Sequence, residues 1–146
     1  HAMAFMDGTL VLTNPVERYI YHGNGLNSFT LGLEVEGRYR GLTNEPDKTT
    51  WGGDPTPLTG ATVAAAHEGV RKLVELGRRA GMPITHIYAH RQSSETRRSD
   101  PGEGLWRHVV LDYAVPVLGL KAAQGVTVGT GEPVPEQWDP DGVGNY

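Results

Sequence analysis

The sequence predicts an α/β domain in which a mixed sheet of about four or five strands is flanked by two principal helices. One long segment repeats its apolar residues at three- and four-residue steps, which is typical of a helix packed along one face. Several shorter segments alternate or cluster their apolar residues, as strands do. With 146 residues, of which 38% are hydrophobic, the chain can bury one core, while 20 glycines and 10 prolines indicate many loops.

Composition excludes several classes of function. The formal net charge of −4 argues against non-specific nucleic-acid binding, which needs a basic surface. The chain has no cysteine, which excludes thiolate metal sites, disulfides and cysteine nucleophiles. It contains no apolar run of the length that a membrane span requires, and no signal peptide is visible.

Domain boundaries follow from the two ends of the chain. His1-Ala2-Met3 resembles a cloning remnant, so we expect residues 1–6 to be a disordered start outside the fold. The α/β domain is predicted over residues 7–118. A tail rich in glycine and proline follows over residues 119–146, and we expect its valine and tryptophan side chains to lie along the domain surface.

The first half of the domain is predicted to supply three strands. Asp7-Gly8 reads as a turn entering a strand at residues 9–13, and the alternation over residues 17–21 predicts a second short strand. Residues 29–36 give the clearest alternation. Because successive strand residues face opposite sides, Glu34 lies on the face away from the large apolar side chains.

The second half of the domain begins with the strongest helix signal, over residues 59–79. Thr59 or Thr62 can cap its start, and two arginines suit its carboxyl end. A buried strand is predicted at residues 84–89, and a second amphipathic helix at residues 105–113, disturbed by Pro116.

The polar stretch over residues 90–102 is the most distinctive part of the chain. His90 stands at the end of the buried strand, and Asp100 follows ten residues later, just before a tight Pro-Gly stop. Imidazole and carboxylate are both ligands that Zn²⁺ prefers, and a loop can fold back to bring them onto one ion. The pattern therefore predicts a metal site built from His90 and Asp100.

Three segments in order carry a family resemblance: Asp7-Gly8-Thr9-Leu10-Val11, then residues 22–37 with Gly32-Leu33-Glu34-Val35-Glu36-Gly37 at their centre, then residues 90–102 ending in Asp-Pro-Gly. Together they resemble the zinc-dependent N-acetylmuramoyl-L-alanine amidases of the peptidoglycan-recognition-protein and phage-lysozyme-like superfamily. The resemblance covers roughly residues 7–106. It implies hydrolysis of the amide between N-acetylmuramic acid and the L-alanine of the stem peptide, by an enzyme of the cell envelope, the extracellular space or phage lysis.

The resemblance also implies roles for individual residues. His90 and Asp100 match two of the three protein ligands of the zinc ion. Glu34 matches the acid that polarises the zinc-bound water and carries its proton, and Arg98 occupies the position of an oxyanion-stabilising lysine. The predicted contacts to the sugar and peptide of the substrate are His22, Asn27 and Trp51.

The origin of the third zinc ligand is left open by the sequence. In the family it is a histidine on a strand well upstream of the Asp-Gly turn, whereas only six residues precede Asp7 here, so we predict an N-terminally shortened fold. His1 is a poor substitute, and His86 could reach the site from the same strand face as His90. A partner chain could supply the strand, the metal site could be rebuilt, or the protein could bind peptidoglycan without cutting it.

Overall fold

The computed structural model describes residues 1–41 and 54–144. Three short strands form a mixed sheet: β1 (Ala2–Ala4), β2 (Leu10–Leu12) and β3 (Leu33–Val35). Strand β1 lies in the middle, antiparallel to β2 and parallel to β3. The α/β class predicted from the sequence, with a mixed sheet and flanking helices, is confirmed.

The prediction that residues 1–6 lie outside the fold is wrong, because they contain the central strand. Ala2 pairs with Leu12 on one side and with Leu33 on the other, and Ala4 is fully buried. The two alanines carry too little apolar surface to produce a strand signal. Ala4 shares the main core with Ala65 and Ala66 of the long helix, where small side chains allow close packing.

The strands of the first half are shorter than predicted. Residues 17–21 form no strand, and the amide of Arg18 instead donates to the carbonyl of Pro15 in a turn. The third strand begins at Leu33 rather than at residue 29, and Phe29 is largely exposed. The side chain of Asn27 accepts bonds from nearby backbone amides, and such local bonds compete with a sheet ladder.

The main helix α1 (Gly60–Arg79) confirms the strongest prediction. Thr59 is its N-cap, and its hydroxyl accepts a hydrogen bond from the amide of Thr62 at 3.2 Å. The buried face of α1 packs on the three-stranded sheet. The main core combines side chains of α1 with residues of the sheet and of the second helix, and it includes Ala4, Ala65, Ala66, Val70, Val74 and Val109. Among the described residues, no helix is long and apolar enough to cross a bilayer.

The second predicted helix is present, but most of it is wound more loosely than an α-helix. A single turn, α2 (Glu103–Leu105), leads directly into a π-helix over Trp106–Ala114. The amide of Val115 closes the last turn by donating to the carbonyl of Val110, five residues earlier. Trp106 and Val110 are buried in a second core on this side of the domain.

A second, two-stranded parallel sheet joins β4 (His86–Ile87) to β5 (Lys121–Ala122). The described residues therefore contain two sheets rather than one of four or five strands. The tail predicted over residues 119–146 does not only lie along the surface, since its Val134 and Trp138 are 2% and 0% exposed and belong to the second core. Short 3₁₀ turns complete the fold at Asn24–Leu26, His90–Ser93, Glu95–Arg97 and Glu136–Trp138.

Candidate active site

A cleft of about 390 Å³ opens between β3, β4 and the loop that follows β4. Five of the side chains singled out from the sequence line this cleft although they come from distant parts of the chain: His22, Glu34, His86, His90 and Asp100. Concave sites that combine apolar walls with a few convergent polar groups are the usual form of an active site.

His90 and Asp100 form the polar centre of the cleft. The Nδ1 atom of His90 lies 3.1 Å from Oδ2 of Asp100, and both side chains remain about a quarter exposed. The loop between them closes on itself, because the amide of Arg91 donates to the carbonyl of Asp100 at 3.1 Å. The strand predicted over residues 84–89 is reduced to β4, which ends at Ile87, so His90 opens the following 3₁₀ turn and the returning loop brings Asp100 against it.

The chemistry of this pair fits two positions of a zinc site. Imidazole nitrogen and carboxylate oxygen are preferred zinc ligands, and two ligands of a tetrahedral ion stand roughly 3.4 Å apart at their usual bond lengths. Within the part of the chain that the structure describes, no group of three or more His, Cys, Asp or Glu side chains could hold a metal. Among the described residues, the pair therefore offers two metal-binding groups and no third.

Neither of the other two histidines considered as ligands joins the pair. Both ring nitrogens of His1 face backbone groups, with Nδ1 accepting from the amide of Gly32 and Nε2 lying 2.9 Å from the carbonyl of Arg18. The Nδ1 atom of His86 lies 2.8 Å from the hydroxyl of Thr85. His1 therefore ties the start of β1 to the segment before β3, which is a structural role.

Glu34 reaches the cleft from the opposite wall. It lies on β3 in register with Met3, and its side chain is accessible at the mouth of the cleft. The surrounding protein still desolvates the carboxyl group and raises its pKa, and the nearby charge of Asp100 adds to this, while His90 and Arg97 act in the opposite direction. A carboxylate with a raised pKa is a better proton acceptor near neutral pH.

His22 and Asn27 belong to one turn but differ in position. The His22 ring lines the cleft, with Nε2 2.8 Å from the hydroxyl of Thr30, and burial lowers its pKa. Asn27 is buried beneath it, and its Oδ1 accepts from the amides of His22 and Gly23 at 2.8 Å and 2.6 Å. Asn27 therefore shapes the turn that presents His22, and it does not line the cleft.

Arg98, another predicted site residue, is not brought to the cleft. Arg98 is 66% exposed and forms an ion pair with Glu132, at 2.8 Å between Nε and Oε1. It does not line the cleft, and its neighbour Arg97 is the arginine whose charge acts on Glu34. Trp51 lies outside the described residues.

Sequence reasoning missed a row of aromatic rings on one wall of the cleft. The rings of Phe29 and Tyr88 meet edge-on with centroids 6.3 Å apart, and His86 stacks on Tyr88 at 6.2 Å. A signal was present in the chain, because His86, Tyr88 and His90 alternate and therefore share one face of an extended segment. Rings of this kind supply flat apolar surface next to the polar centre.

A profile of the N-acetylmuramoyl-L-alanine amidase family matches residues 1–103. Because the match covers well over half of the 146 residues, the chain belongs to this family of peptidoglycan amidases. The matched region contains Glu34, His90 and Asp100, and it begins with the strand that sequence reasoning had left out of the fold. Searches of curated proteins and of solved structures gave no significant match.

Proposed function

We propose that the protein hydrolyses the amide bond between N-acetylmuramic acid and the L-alanine of the stem peptide, and that this activity depends on zinc. The observation that carries the proposal is the meeting of Glu34, His90 and Asp100 at one cleft, all within the region that matches the amidase family. Peptidoglycan as substrate implies action at the cell envelope, outside the cell or during phage lysis.

His90 and Asp100 are the residues that would hold the zinc ion. When bound, zinc lowers the pKa of a coordinated water to about 7 and polarises the scissile carbonyl. The third protein ligand would come from outside the described residues, either from this polypeptide or from a partner chain. With only two ligands zinc would be held weakly, so this third group decides whether the site is active.

Glu34 is proposed to move the proton. Its carboxylate accepts a proton from the attacking water and returns it to the alanine nitrogen as the carbon–nitrogen bond breaks. The raised pKa of Glu34 suits this double task, because the group can both take and release a proton at moderate pH. The oxyanion role of Arg98 stays a prediction, and it would require Arg98 to leave its ion pair with Glu132.

Substrate contacts are assigned from the lining of the cleft. His22 faces the cleft directly, and the rings of Phe29 and Tyr88 form an apolar wall beside it. Asn27 acts on the substrate only through the turn that it shapes, and stacking of Trp51 on a sugar remains a prediction.

The test combines metal analysis with a cleavage assay on muropeptides. We expect about one zinc per chain, release of free stem peptide detected by mass spectrometry, loss of cleavage with a chelator, and recovery when zinc is restored. The products must be a muramic acid carboxyl and an alanine amine, which distinguishes this cut from cleavage inside the stem peptide or the glycan.

Other outcomes point elsewhere. Absence of both zinc and cleavage rules the proposal out for this chain alone. Muropeptide binding that survives chelation and Glu34→Ala, without any cleavage, would identify a peptidoglycan-binding module instead. Activity that appears only with a second polypeptide would show that a partner completes the zinc site.

A further inference from the structure

The loop that carries His90 and Asp100 is held by a segment lying beyond the region that matches the amidase family. This segment, residues 121–138, is the C-terminal brace of the loop. We propose that the brace fixes the loop over residues 90–100 and that Glu132 is its positioning residue, keeping His90 aligned with Asp100. The effect of the brace on catalysis rests on the proposed function, whereas its effect on the local stability of the loop can be measured without it.

Gln92 is the first anchor between the loop and the brace. Its side chain is fully buried, and its Nε2 donates to the carbonyls of Ala123 at 2.6 Å and Val126 at 2.8 Å. Its Oε1 accepts from the amide of Ala89, and its own carbonyl accepts from the amide of Val128. One residue thus ties both sides of His90 to the brace, since Ala89 precedes His90 and Gln92 follows it.

Arg91 is the second anchor, and it is a buried cation. Its Nε donates to the carbonyl of Pro133 at 2.8 Å, and its guanidinium lies over the ring of Trp138 at 5.2 Å. Another of its nitrogens, Nη1, donates to the carbonyl of Arg98, two residues before Asp100. The guanidinium therefore joins the brace directly to the part of the loop that positions Asp100.

Glu132 connects these contacts by charge. Its two carboxylate oxygens face two arginines of the loop, Oε2 at 3.3 Å from Arg91 and Oε1 at 2.8 Å from Arg98. The amide of Glu132 also donates to the carbonyl of Arg91 at 2.9 Å. Because Arg91 is only 8% exposed, removal of the Glu132 carboxylate would leave a buried cation poorly compensated.

The loop has little regular structure of its own to replace these contacts. It contains two short 3₁₀ turns, and in neither does the N-cap side chain accept a bond from the first turn. The amide of Arg91 makes one backbone bond that spans the loop, to the carbonyl of Asp100. Weakening the brace should therefore open the loop locally while the core around α1 stays closed.

The experiment compares Glu132→Ala and Glu132→Gln with Glu136→Ala in the full chain. Glu136 lies in the same brace, is exposed and forms no ion pair among the described residues, so its removal changes the net charge equally. Backbone amide hydrogen exchange is measured at Arg91 and at Val70 of α1. We expect exchange at Arg91 to speed up about tenfold in Glu132→Ala, with Val70 unchanged, since a bond to a charged partner is lost.

Kinetics supply the second measurement. We expect kcat to fall about tenfold in Glu132→Ala at unchanged KM, because misalignment of His90 and Asp100 affects the reaction more than binding. Glu132→Gln retains one hydrogen-bonding oxygen and should recover part of both effects. Glu136→Ala should behave as the parent protein. The glutamine variant also keeps the test usable if the alanine variant does not fold.

The outcomes separate the brace from the proposed function. Equal acceleration at Arg91 and Val70 would overturn the proposal, because Glu132 would then contribute only general stability. Unchanged exchange and kcat would overturn it as well, even if the protein is an active amidase. If the parent cleaves nothing but Arg91 still responds selectively to Glu132, the brace stands and the proposed function fails.

Discussion

The two walls of the cleft are built in different ways. Glu34 stands on a strand that is paired in register with β1 and backed by the long helix α1. His90 and Asp100 stand on an irregular loop whose position depends on the side chains of Arg91 and Gln92. Regular backbone bonds hold the first wall, called the sheet wall, whereas individual side chains and a few isolated backbone bonds hold the second, called the loop wall.

This difference affects how each wall should respond to change. A sheet and a helix share their stability among many backbone bonds and apolar contacts, so single substitutions there are partly absorbed. The loop wall concentrates its stability in buried polar groups, and leaving one of these without its partner is costly. Substitutions on the loop wall are therefore expected to be more damaging per residue, and the following predictions test that contrast.

The largest expected effect separates the chemical roles of the two walls. Glu34→Gln should lower kcat by about 10² to 10⁴-fold with zinc retained, because only the proton carrier is lost. Asp100→Ala should abolish zinc binding together with activity. The zinc content and the rate of muropeptide cleavage are measured for both variants and compared with those of the parent protein. Zinc loss in Glu34→Gln would place Glu34 among the metal ligands and contradict the assignment.

A pair of glycine-to-alanine substitutions compares how much stability each wall loses when one methyl group is added. A methyl group at Gly131 would collide with the backbone carbonyl of Gln92, whereas at Gly69 of α1 it would meet the tip of Leu33 at 2.7 Å. We expect Gly131→Ala to destabilise the protein by about 1–3 kcal/mol. In Gly69→Ala the gain of about 1 kcal/mol in helix propensity should offset most of the crowding.

Urea unfolding of both glycine variants provides the measurement for this pair. A stability loss that is greater at Gly69 than at Gly131 would reverse the proposed contrast between the walls. Unchanged stability in Gly131→Ala would mean that the backbone around Gln92 can move without cost, contrary to the proposed brace.

The N-cap of α1 gives a smaller effect on the sheet wall. Thr59→Ala removes the oxygen that accepts from the amide of Thr62 and should lower the free energy of unfolding by about 1 kcal/mol. Thr59→Ser keeps that oxygen and serves as the matched control. Thermal unfolding checks both variants, and kcat should stay at the parent value because the cap lies away from the cleft lining.

The smallest expected effect is a pH dependence of stability caused by Glu34. Its pKa is raised in the folded protein, mainly by desolvation, so between the ordinary and the raised pKa the folded state holds a proton that the unfolded state has lost. The contribution of Glu34 to stability therefore falls as pH rises through that window. Glu34→Gln should gain stability relative to the metal-free parent as pH rises.

Chemical unfolding of the metal-free parent and Glu34→Gln, from pH 4 to neutral pH, checks this effect. The difference between the two proteins should grow with pH and then level off above the raised pKa. A difference that shrinks with rising pH would show that Glu34 is stabilised as the charged form, and its proposed desolvation would be wrong.

The sequence predicted those features that depend on neighbours a few residues away. The three- and four-residue periodicity fixed α1, and Thr59 marked its start. Alternation over residues 29–36 assigned Glu34 to the less apolar face, although the strand itself is shorter. His90 at a strand end, with Asp100 before a Pro-Gly stop, gave a pair that the fold does bring together.

Other features were decided by partners far along the chain. Ala2–Ala4 became the central strand because β2 and β3 flank it, not because of its own pattern. Arg98 joined Glu132, 34 residues away, instead of entering the cleft.

Helix periodicity and N-capping can thus be predicted from the sequence, because the interactions that cause them join residues only a few positions apart. The burial of Trp138, the anchoring of Arg91 and the pairing of β4 with β5 depend on contacts between segments some thirty or more residues apart. Those contacts exist only once the chain has folded, and so the tertiary structure alone decided how the loop wall is held.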